Sequence, residues 1–269
     1  MNSAHSKKIL ERFNVKISGA GDRTIMFAHG FGCDQSMWRF VAPAFEKEFR
    51  VVLFDLAGSG GSDASEYTNS KYHSLDAYAK DVVQIAAAIE LKDAIYVGHS
   101  VSAMIGVLAS NQAPGAFSQL VLVGPSPRYI NDGAYVGGFE KSDIDELLES
   151  LSSNYLGWSS VMAPVIMGNK DRPELGQELT NSFCQMNPEI AKNFARVTFL
   201  SDNRADLKKL TAKALILQCA DDRIASTVVG EFVHAQIPGS QILHMKATGH
   251  CPNLSAPEET TAAIKAFVS

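Results

Sequence analysis

Five short apolar runs alternate with helix-like segments, and this alternation limits the fold more than any other feature of the sequence. The runs are nearly continuous in β-branched and other apolar residues, as in strands that are buried on both faces of a sheet. Strands that alternate with helices form a mostly parallel sheet flanked by helices. The runs cover residues 24–28, 51–54, 94–97, 120–123 and 214–217.

Helical spacing fills the intervals, and one more strand is predicted near the end of the chain. Residues 75–90 place apolar side chains on one helical face. Helix patterns also begin directly after Ser100 and at Pro257, and residues 241–245 predict a late strand.

Between about residues 131 and 206 the strand signals stop, and the apolar residues follow helical spacing. Pro173 and Pro188 each suit the first position of a helix, and Asn187 can cap the helix that Pro188 opens. We therefore expect a lid of four helices over the sheet at 131–206. Residues 1–130 and 207–269 are then expected to form the core domain.

Length and composition exclude several classes of function. A chain of 269 residues with 46% hydrophobic residues fits one large α/β domain, with or without an insertion. The net charge of −5 and the lack of a basic stripe argue against nucleic acid as a partner. No apolar run approaches the roughly 18 residues of a membrane span, and no secretory signal follows Met1–Lys8.

The four cysteines are far apart and form no CxxC pair, so the sequence predicts neither a zinc site nor any other metal or cofactor. Reduced thiols are typical of the cytoplasm, where we expect the chain to reside. Without a coiled-coil heptad or an obvious exposed apolar stripe, a monomer is the expected state.

A reactive serine is predicted at the start of the central helix pattern. Gly98-His99-Ser100-Val101-Ser102 follows one of the strand-like runs directly and leads into a helix. A strand, a sharp turn and a helix form the nucleophile elbow, in which small neighbours are needed because strand and helix approach closely. The usual motif is G-x-S-x-G, and Ser102 departs from it with another small residue.

Two backbone N–H groups are predicted to stabilise negative charge beside Ser100. The N–H of Val101 lies at a helix N-terminus, where the helix dipole favours an anion. A second donor is expected from His29-Gly30-Phe31-Gly32, with the Phe31 N–H as the candidate. Removing one such donor lowers the rate of acyl transfer by roughly 10²–10³.

A candidate acid and then a candidate base follow Ser100 along the sequence. Asp222 comes after the strand at 214–217, and a carboxylate there can orient a histidine. Asp221 is the alternative acid. His250 lies in a loop after the predicted late strand and is the candidate base. The order Ser, Asp, His is typical of α/β-hydrolases.

At these motifs the chain resembles the branch of the α/β-hydrolases that contains RsbQ, a bacterial stress-pathway regulator, and the plant karrikin and strigolactone receptors. The likeness runs over nearly the whole chain. It is carried by residues 29–36, 98–101, 125–132, 137–140 and 217–222.

The resemblance implies the α/β-hydrolase fold, a four-helix lid over an apolar pocket, and a small hydrophobic ester or lactone as ligand. It also implies a possible partner protein that carries a PAS sensor and a phosphatase domain. Seven residues are candidates for the pocket wall, although packing within the lid explains the apolar ones equally well. They are His99, Tyr129, Leu147, Trp158, Met162, Phe194 and Phe199.

Two functions are compatible with this sequence. The first is a serine hydrolase that cleaves a small ester or lactone, with a signalling role. The second is a signalling receptor with little turnover, which engages a partner protein through its lid. A cofactor-free haloperoxidase or a lyase, which share the same triad, rank third.

Overall fold

A single seven-stranded sheet forms the centre of the computed structural model, which describes residues 3–269. Met1 and Asn2 lie outside the described residues. They belong to the N-terminal segment in which no secretory signal is predicted. The strand order is β1-β3-β2-β4-β5-β6-β7, and every pair is parallel except β1 with β3. The strands are β1 Lys16–Ser18, β2 Arg23–Ala28, β3 Phe49–Leu53, β4 Ala94–His99, β5 Phe117–Val123, β6 Lys213–Gln218 and β7 Gln241–His244.

The alternation of strands and helices in the sequence is confirmed by this sheet. Successive residues of one strand enter different layers of the core. Ile25 and Phe27 pack in one apolar cluster, while Met26 and Ala28 pack in the other. Because both faces of the sheet are covered, its strands need apolar residues at nearly every position. The predicted α/β class is therefore confirmed.

Eleven α-helices accompany the described strands, and none of those in residues 3–269 is long and apolar enough to cross a membrane. The helices are α1 Ser3–Arg12, α2 Leu75–Ala88, α3 Val101–Gln112, α4 Lys141–Ser153, α5 Tyr155–Met167, α6 Pro173–Gln185, α7 Pro188–Phe199, α8 Arg204–Leu207, α9 Thr227–Gln236, α10 Pro252–Ser255 and α11 Pro257–Val268.

Helices α4 to α7 occupy most of the stretch between β5 and β6. Pro173 and Pro188 open α6 and α7, as predicted from their fixed φ angle. The side chain of Asn187 accepts hydrogen bonds from the N–H groups of Glu189 and Ile190, which caps α7. In α6, Gly176 leaves room for Pro164 of α5, so these two helices pack closely.

Candidate active site

Ser100 occupies a strained turn between β4 and α3. Its φ of 57° and ψ of −123° lie in a region that a residue with a side chain rarely adopts. Such a conformation costs on the order of 1–3 kcal/mol and has to be held by its surroundings. A side chain at Gly98 would collide with the carbonyl of Ser102, which explains why the elbow needs glycine there.

The structure brings Ser100, His250 and Asp222 into one hydrogen-bonded chain. Ser100 Oγ lies 2.7 Å from His250 Nε2, and His250 Nδ1 lies 2.7 Å from Asp222 Oδ2. All three side chains are buried. Asp222 Oδ1 accepts the N–H groups of Ile224 and Ala225, at 2.8 and 3.0 Å, so both carboxylate oxygens are fixed.

Asp221, the alternative acid in the sequence, points away from the histidine. Its side chain is 67% exposed and lies 3.4 Å from Arg223 Nε. Only its backbone carbonyl serves the site, because it accepts the N–H of Gly249 at 2.8 Å. The two neighbouring aspartates therefore differ in position, and Asp222 is the one that faces His250.

The loop that carries His250 is held from two sides. Its N–H donates to the carbonyl of Ile166 in α5 at 3.0 Å. Its carbonyl accepts from His99 Nε2 at 2.7 Å, which requires the proton of His99 on that nitrogen. Burial lowers the pKa of His99 to about 3, so this ring is neutral near pH 7. His99 therefore acts on the site by positioning the backbone of His250.

The two predicted oxyanion donors lie beside the elbow. Val101 is the first residue of α3, where an N–H has no intrahelical acceptor. Within residues 3–269, the Phe31 N–H donates to no protein acceptor. Gly30 packs so closely on the elbow that a Cβ there would lie 2.8 Å from His99 Nδ1. Both N–H groups are thus free to bind an oxygen of a ligand.

Hydrogen bonds fix the loop that precedes Phe31. The hydroxyl of Ser102 donates to the carbonyl of His29 at 2.5 Å. The Leu56 N–H donates to His29 Nε2 at 3.0 Å, so His29 Nδ1 carries the proton and donates to the carbonyl of Gly30. Burial lowers the pKa of His29, which keeps this tautomer neutral. Ser102, a departure from the usual motif, thereby joins the elbow to the loop.

A narrow, mostly apolar cavity opens on Ser100. The centre of a water molecule could move through only about 30 Å³ of it. Three of the seven predicted pocket residues line this cavity, namely His99, Tyr129 and Phe199, together with the predicted oxyanion residue Phe31. Cys33, Ile166, Leu179, Phe183, Thr198, Ile224 and Cys251 also line it and were not predicted.

The other four predicted pocket residues lie elsewhere. Trp158 stacks on Phe183, 5.9 Å between ring centroids, and Phe194 stacks on Tyr78 at 4.6 Å. Leu147 is half-buried and packs on the core, while Met162 lines a surface groove. Helical periodicity identified these residues as inward-facing, and it carries no information on which of them reaches the cavity.

Cys33 and Cys251 lie in the cavity wall as free thiols. Burial raises the pKa of Cys33 to about 12 and that of Cys251 well above its ordinary value. Both thiols therefore stay protonated near pH 7. Since the thiolate is the reactive form, neither competes with Ser100 as a nucleophile.

Comparison with known proteins gives a consistent picture. Residues 25–264 match a family model described as the Alpha/beta hydrolase family. The chain is 41% identical to the Karrikin insensitive 2 receptor CA of Petunia hybrida over 249 residues, or 92% of each chain. It is 38% identical to Strigolactone esterase D14 of Arabidopsis thaliana over 252 residues, which covers 93% of this chain and 94% of that one.

Solved structures agree with these relatives. A hydrolase from Oleispira antarctica superposes with a TM-score of 0.95 at 41% identity, covering 98% of this chain and 97% of the other. An esterase from Exiguobacterium antarcticum reaches a TM-score of 0.87 at 21% identity and covers 94% of each chain, a likeness of fold alone.

Proposed function

The chain belongs to the alpha/beta hydrolase family, and on that premise we propose that it hydrolyses a small hydrophobic ester or lactone with Ser100 as the nucleophile. The observation that carries this proposal is the continuous hydrogen-bonded chain from Ser100 through His250 to Asp222 at the edge of a narrow, mostly apolar cavity. An apolar wall with few polar groups suits a hydrophobic ligand.

In the first step, Ser100 Oγ forms a bond to the carbonyl carbon while His250 Nε2 takes the hydroxyl proton. The carbonyl oxygen becomes an anion, for which the N–H groups of Phe31 and Val101 are the proposed donors. Asp222 stabilises the charged imidazole through Nδ1. The carbon–oxygen bond to the alcohol then breaks, and His250 returns the proton to the leaving oxygen.

In the second step, water releases the acyl group. His250 takes a proton from the water molecule as its oxygen attacks the same carbon. The bond to Ser100 Oγ then breaks, and His250 returns the proton to the serine, so the enzyme is regenerated. For a lactone the alcohol and the acid stay in one molecule, and the product is a hydroxy acid.

Hydrolysis of short p-nitrophenyl esters tests this proposal. We expect slow release of p-nitrophenol by the wild-type protein and a loss of about 10³-fold or more in Ser100→Ala, since the nucleophile is removed. An adduct of the acyl mass on Ser100 is expected in mass spectra of quenched reactions. Equal rates for the two proteins would refute the proposal.

A signalling role is the second candidate, and the relatives named as receptors favour it. We propose that residues 131–206 act as the lid and that ligand binding changes the surface of this lid for a partner protein. The hydrogen bond between Ile166 and His250 supports such coupling, because it joins α5 directly to the catalytic loop.

Further parts of this proposal follow from the sequence. A PAS-phosphatase protein is the proposed partner, and a cytoplasmic monomer is the proposed state of the chain. Capture of that partner by the immobilised protein, with and without a lactone, separates the two functions. A capture that the lactone leaves unchanged counts against the receptor.

A further inference from the structure

The cavity at Ser100 is too narrow to hold an ester with a bulky alcohol. The centre of a water molecule can reach only about 30 Å³ inside it. Part of such an ester therefore has to lie beyond the cavity wall. The residues at the borders of the cavity therefore decide where that part extends.

Two surface grooves share a wall residue with the cavity. One groove has a volume of about 650 Å³ and lies between the end of α5 and the loops at 221–224 and 248–249. We call it the α5 groove, and Ile224 lines both it and the cavity. The other groove has about 440 Å³ and shares Cys33 with the cavity.

The two grooves lie on different sides of the triad. The α5 groove is lined by Arg223 and Gly249, the chain neighbours of Asp222 and His250. The groove at Cys33 lies beside Gly32, behind the loop that offers the Phe31 N–H. Since His250 protonates the leaving oxygen, the alcohol part of an ester points toward the α5 groove. The carbonyl oxygen points toward the other wall.

Ile224 stands between the cavity and the α5 groove as a closed border. Its side chain is buried, 7% exposed, and its N–H is fixed by Asp222 Oδ1 at 2.8 Å. Its backbone is thus tied to the triad, and only its side chain separates the two spaces. Beyond it, the groove is lined by exposed charged groups of both signs, Lys170, Asp171, Asp221 and Arg223, and by apolar groups, Phe139, Met162, Pro164 and Val165.

We propose that Ile224 is the gate to an alcohol-side subsite in the α5 groove. The preferred ligand is then an ester with a small apolar acyl part in the cavity and a larger alcohol part in the groove, where apolar and charged groups both line the wall. This inference rests on the proposed hydrolysis at Ser100 for the direction of the ester. The position of the gate depends only on the observation that Ile224 lines both the cavity and the α5 groove.

Acetate esters that differ only in the size of the alcohol provide the first test. Phenyl acetate and 2-naphthyl acetate have the same acyl group and leaving groups of similar acidity. In Ile224→Ala we expect the ratio of kcat/KM for naphthyl over phenyl acetate to rise about 10-fold, because the border is widened. In Ile224→Phe the ratio is expected to fall.

The matched variant Cys33→Ala widens the other border. We expect Cys33→Ala to leave the ratio of kcat/KM for naphthyl over phenyl acetate unchanged. A rise of this ratio in Cys33→Ala, with none in Ile224→Ala, would overturn the gate. Thermal melting shows that each variant is folded. If Ile224→Ala does not fold, the change in Ile224→Phe alone decides, and an unchanged ratio in it overturns the proposal.

Alkylation of Cys251 follows access to the cavity without any hydrolysis. In the Ser100→Ala background, N-ethylmaleimide labelling at pH 9, where more of the Cys251 thiol is ionised than at pH 7, is followed by mass spectrometry, with exposed Cys184 as internal reference. We expect Ile224→Ala to accelerate labelling of Cys251 several-fold and to leave Cys184 unchanged. If no ester is hydrolysed and this acceleration persists, the proposed function fails and the gate stands. If esters are hydrolysed but neither readout moves, the gate is wrong.

Discussion

The hydroxyl of Ser102 joins two parts of the site that lie 73 positions apart in the sequence. It donates to the carbonyl of His29, and that residue begins the loop with the proposed oxyanion donor of Phe31. A short hydrogen bond between fully buried groups holds this loop against α3. Without it, the loop keeps its glycines but loses its fixed distance from the elbow.

Ser102→Ala is expected to lower kcat by about 3- to 10-fold with little change in KM, since one hydrogen bond that positions the anion's donor is lost. Steady-state kinetics with a p-nitrophenyl ester measure the split. Ser110→Ala, two turns further along the same helix, is the matched control. A change in KM alone would show that Ser102 does not position the oxyanion loop.

Asp81 is a buried carboxyl group whose protonation affects stability. Burial raises its pKa to about 6, and the hydroxyl of Tyr72 donates to its Oδ2 at 2.8 Å. An acid with a raised pKa in the folded state binds a proton more tightly there than in the unfolded chain. Folding stability is therefore lost as the pH rises from about 4 to about 6, and the cost persists above that.

Asp81→Asn removes this cost while its amide oxygen can still accept from Tyr72. We expect the variant to be more stable than the wild type by about 1–3 kcal/mol at pH 8 and nearly equal at about pH 3, below the ordinary pKa of an aspartate. Urea unfolding at both pH values gives the free energies. If Asp81→Asn is destabilised equally at both pH values, the shape of the side chain, and not its charge, governs stability at this position.

Residues that follow a strand in a recognisable motif could be predicted from the sequence. Residues whose role depends only on packing could not. Ser100, Asp222 and His250 follow strands, and the structure brings their side chains together. Ile224 has no such marker, because it is one apolar residue in a loop. Only its place between a cavity and a groove distinguishes it.

Helix α5 shows the same limit of prediction from sequence for a whole element. Its apolar residues occupy nearly all sides, so Trp158 and Ile166 are buried while Val161 is 66% exposed. Periodicity predicts the helix, but a side chain that faces the core cannot be told from one that faces solvent. The four helices of 131–206 could be predicted, and the wall of the cavity could not.

Three of the elements that had no prediction show different physical reasons for it. Strand β1 has three exposed residues, so it lacks the apolar pattern of the inner strands. Helix α1 buries only Ile9. Helix α9 carries Gly230, a residue that disfavours helices but here makes room for Gln218. Each is held by neighbours that are distant in the sequence.

The end of α5 and the loop of His250 are connected by more than one hydrogen bond. Asn169 Nδ2 lies 2.9 Å from both the carbonyl of Met167 and the carbonyl of Thr248. Its Oδ1 accepts from Arg172 Nη2 at 2.7 Å. Together with the bond from His250 N–H to Ile166, this fixes the loop to the helix.

Asn169→Ala is expected to lower kcat about 5-fold and to reduce stability by roughly 1 kcal/mol, since the loop of His250 loses the hydrogen bond to the carbonyl of Thr248. Kinetics and urea unfolding are measured together. Asn181→Ala, which changes an exposed amide of α6, is the control. A loss of stability without a loss of kcat would separate the loop from catalysis.

For the whole molecule, the small volume of the cavity predicts that α4 to α7 move when a ligand binds. We expect phosphonylation of Ser100 by a small fluorophosphonate, which loses fluoride, to change hydrogen exchange in residues 141–199 and to leave β4 and β5 unchanged. The core strands are buried on both faces, so their exchange requires global unfolding. Exchange by mass spectrometry tests this, and an unaltered pattern at 141–199 would show that the cavity admits ligands without helix motion.

The bond between the carbonyl of Ile166 and the N–H of His250 also sets an order of events. If α5 withdraws to admit a ligand, it pulls on the residue that must accept the serine proton. A wide entrance and an aligned base then exclude each other in time, so chemistry starts only after the helix has returned. If the acylated protein is the form that signals, its lifetime, rather than the affinity for ligand, then fixes how long the signal lasts.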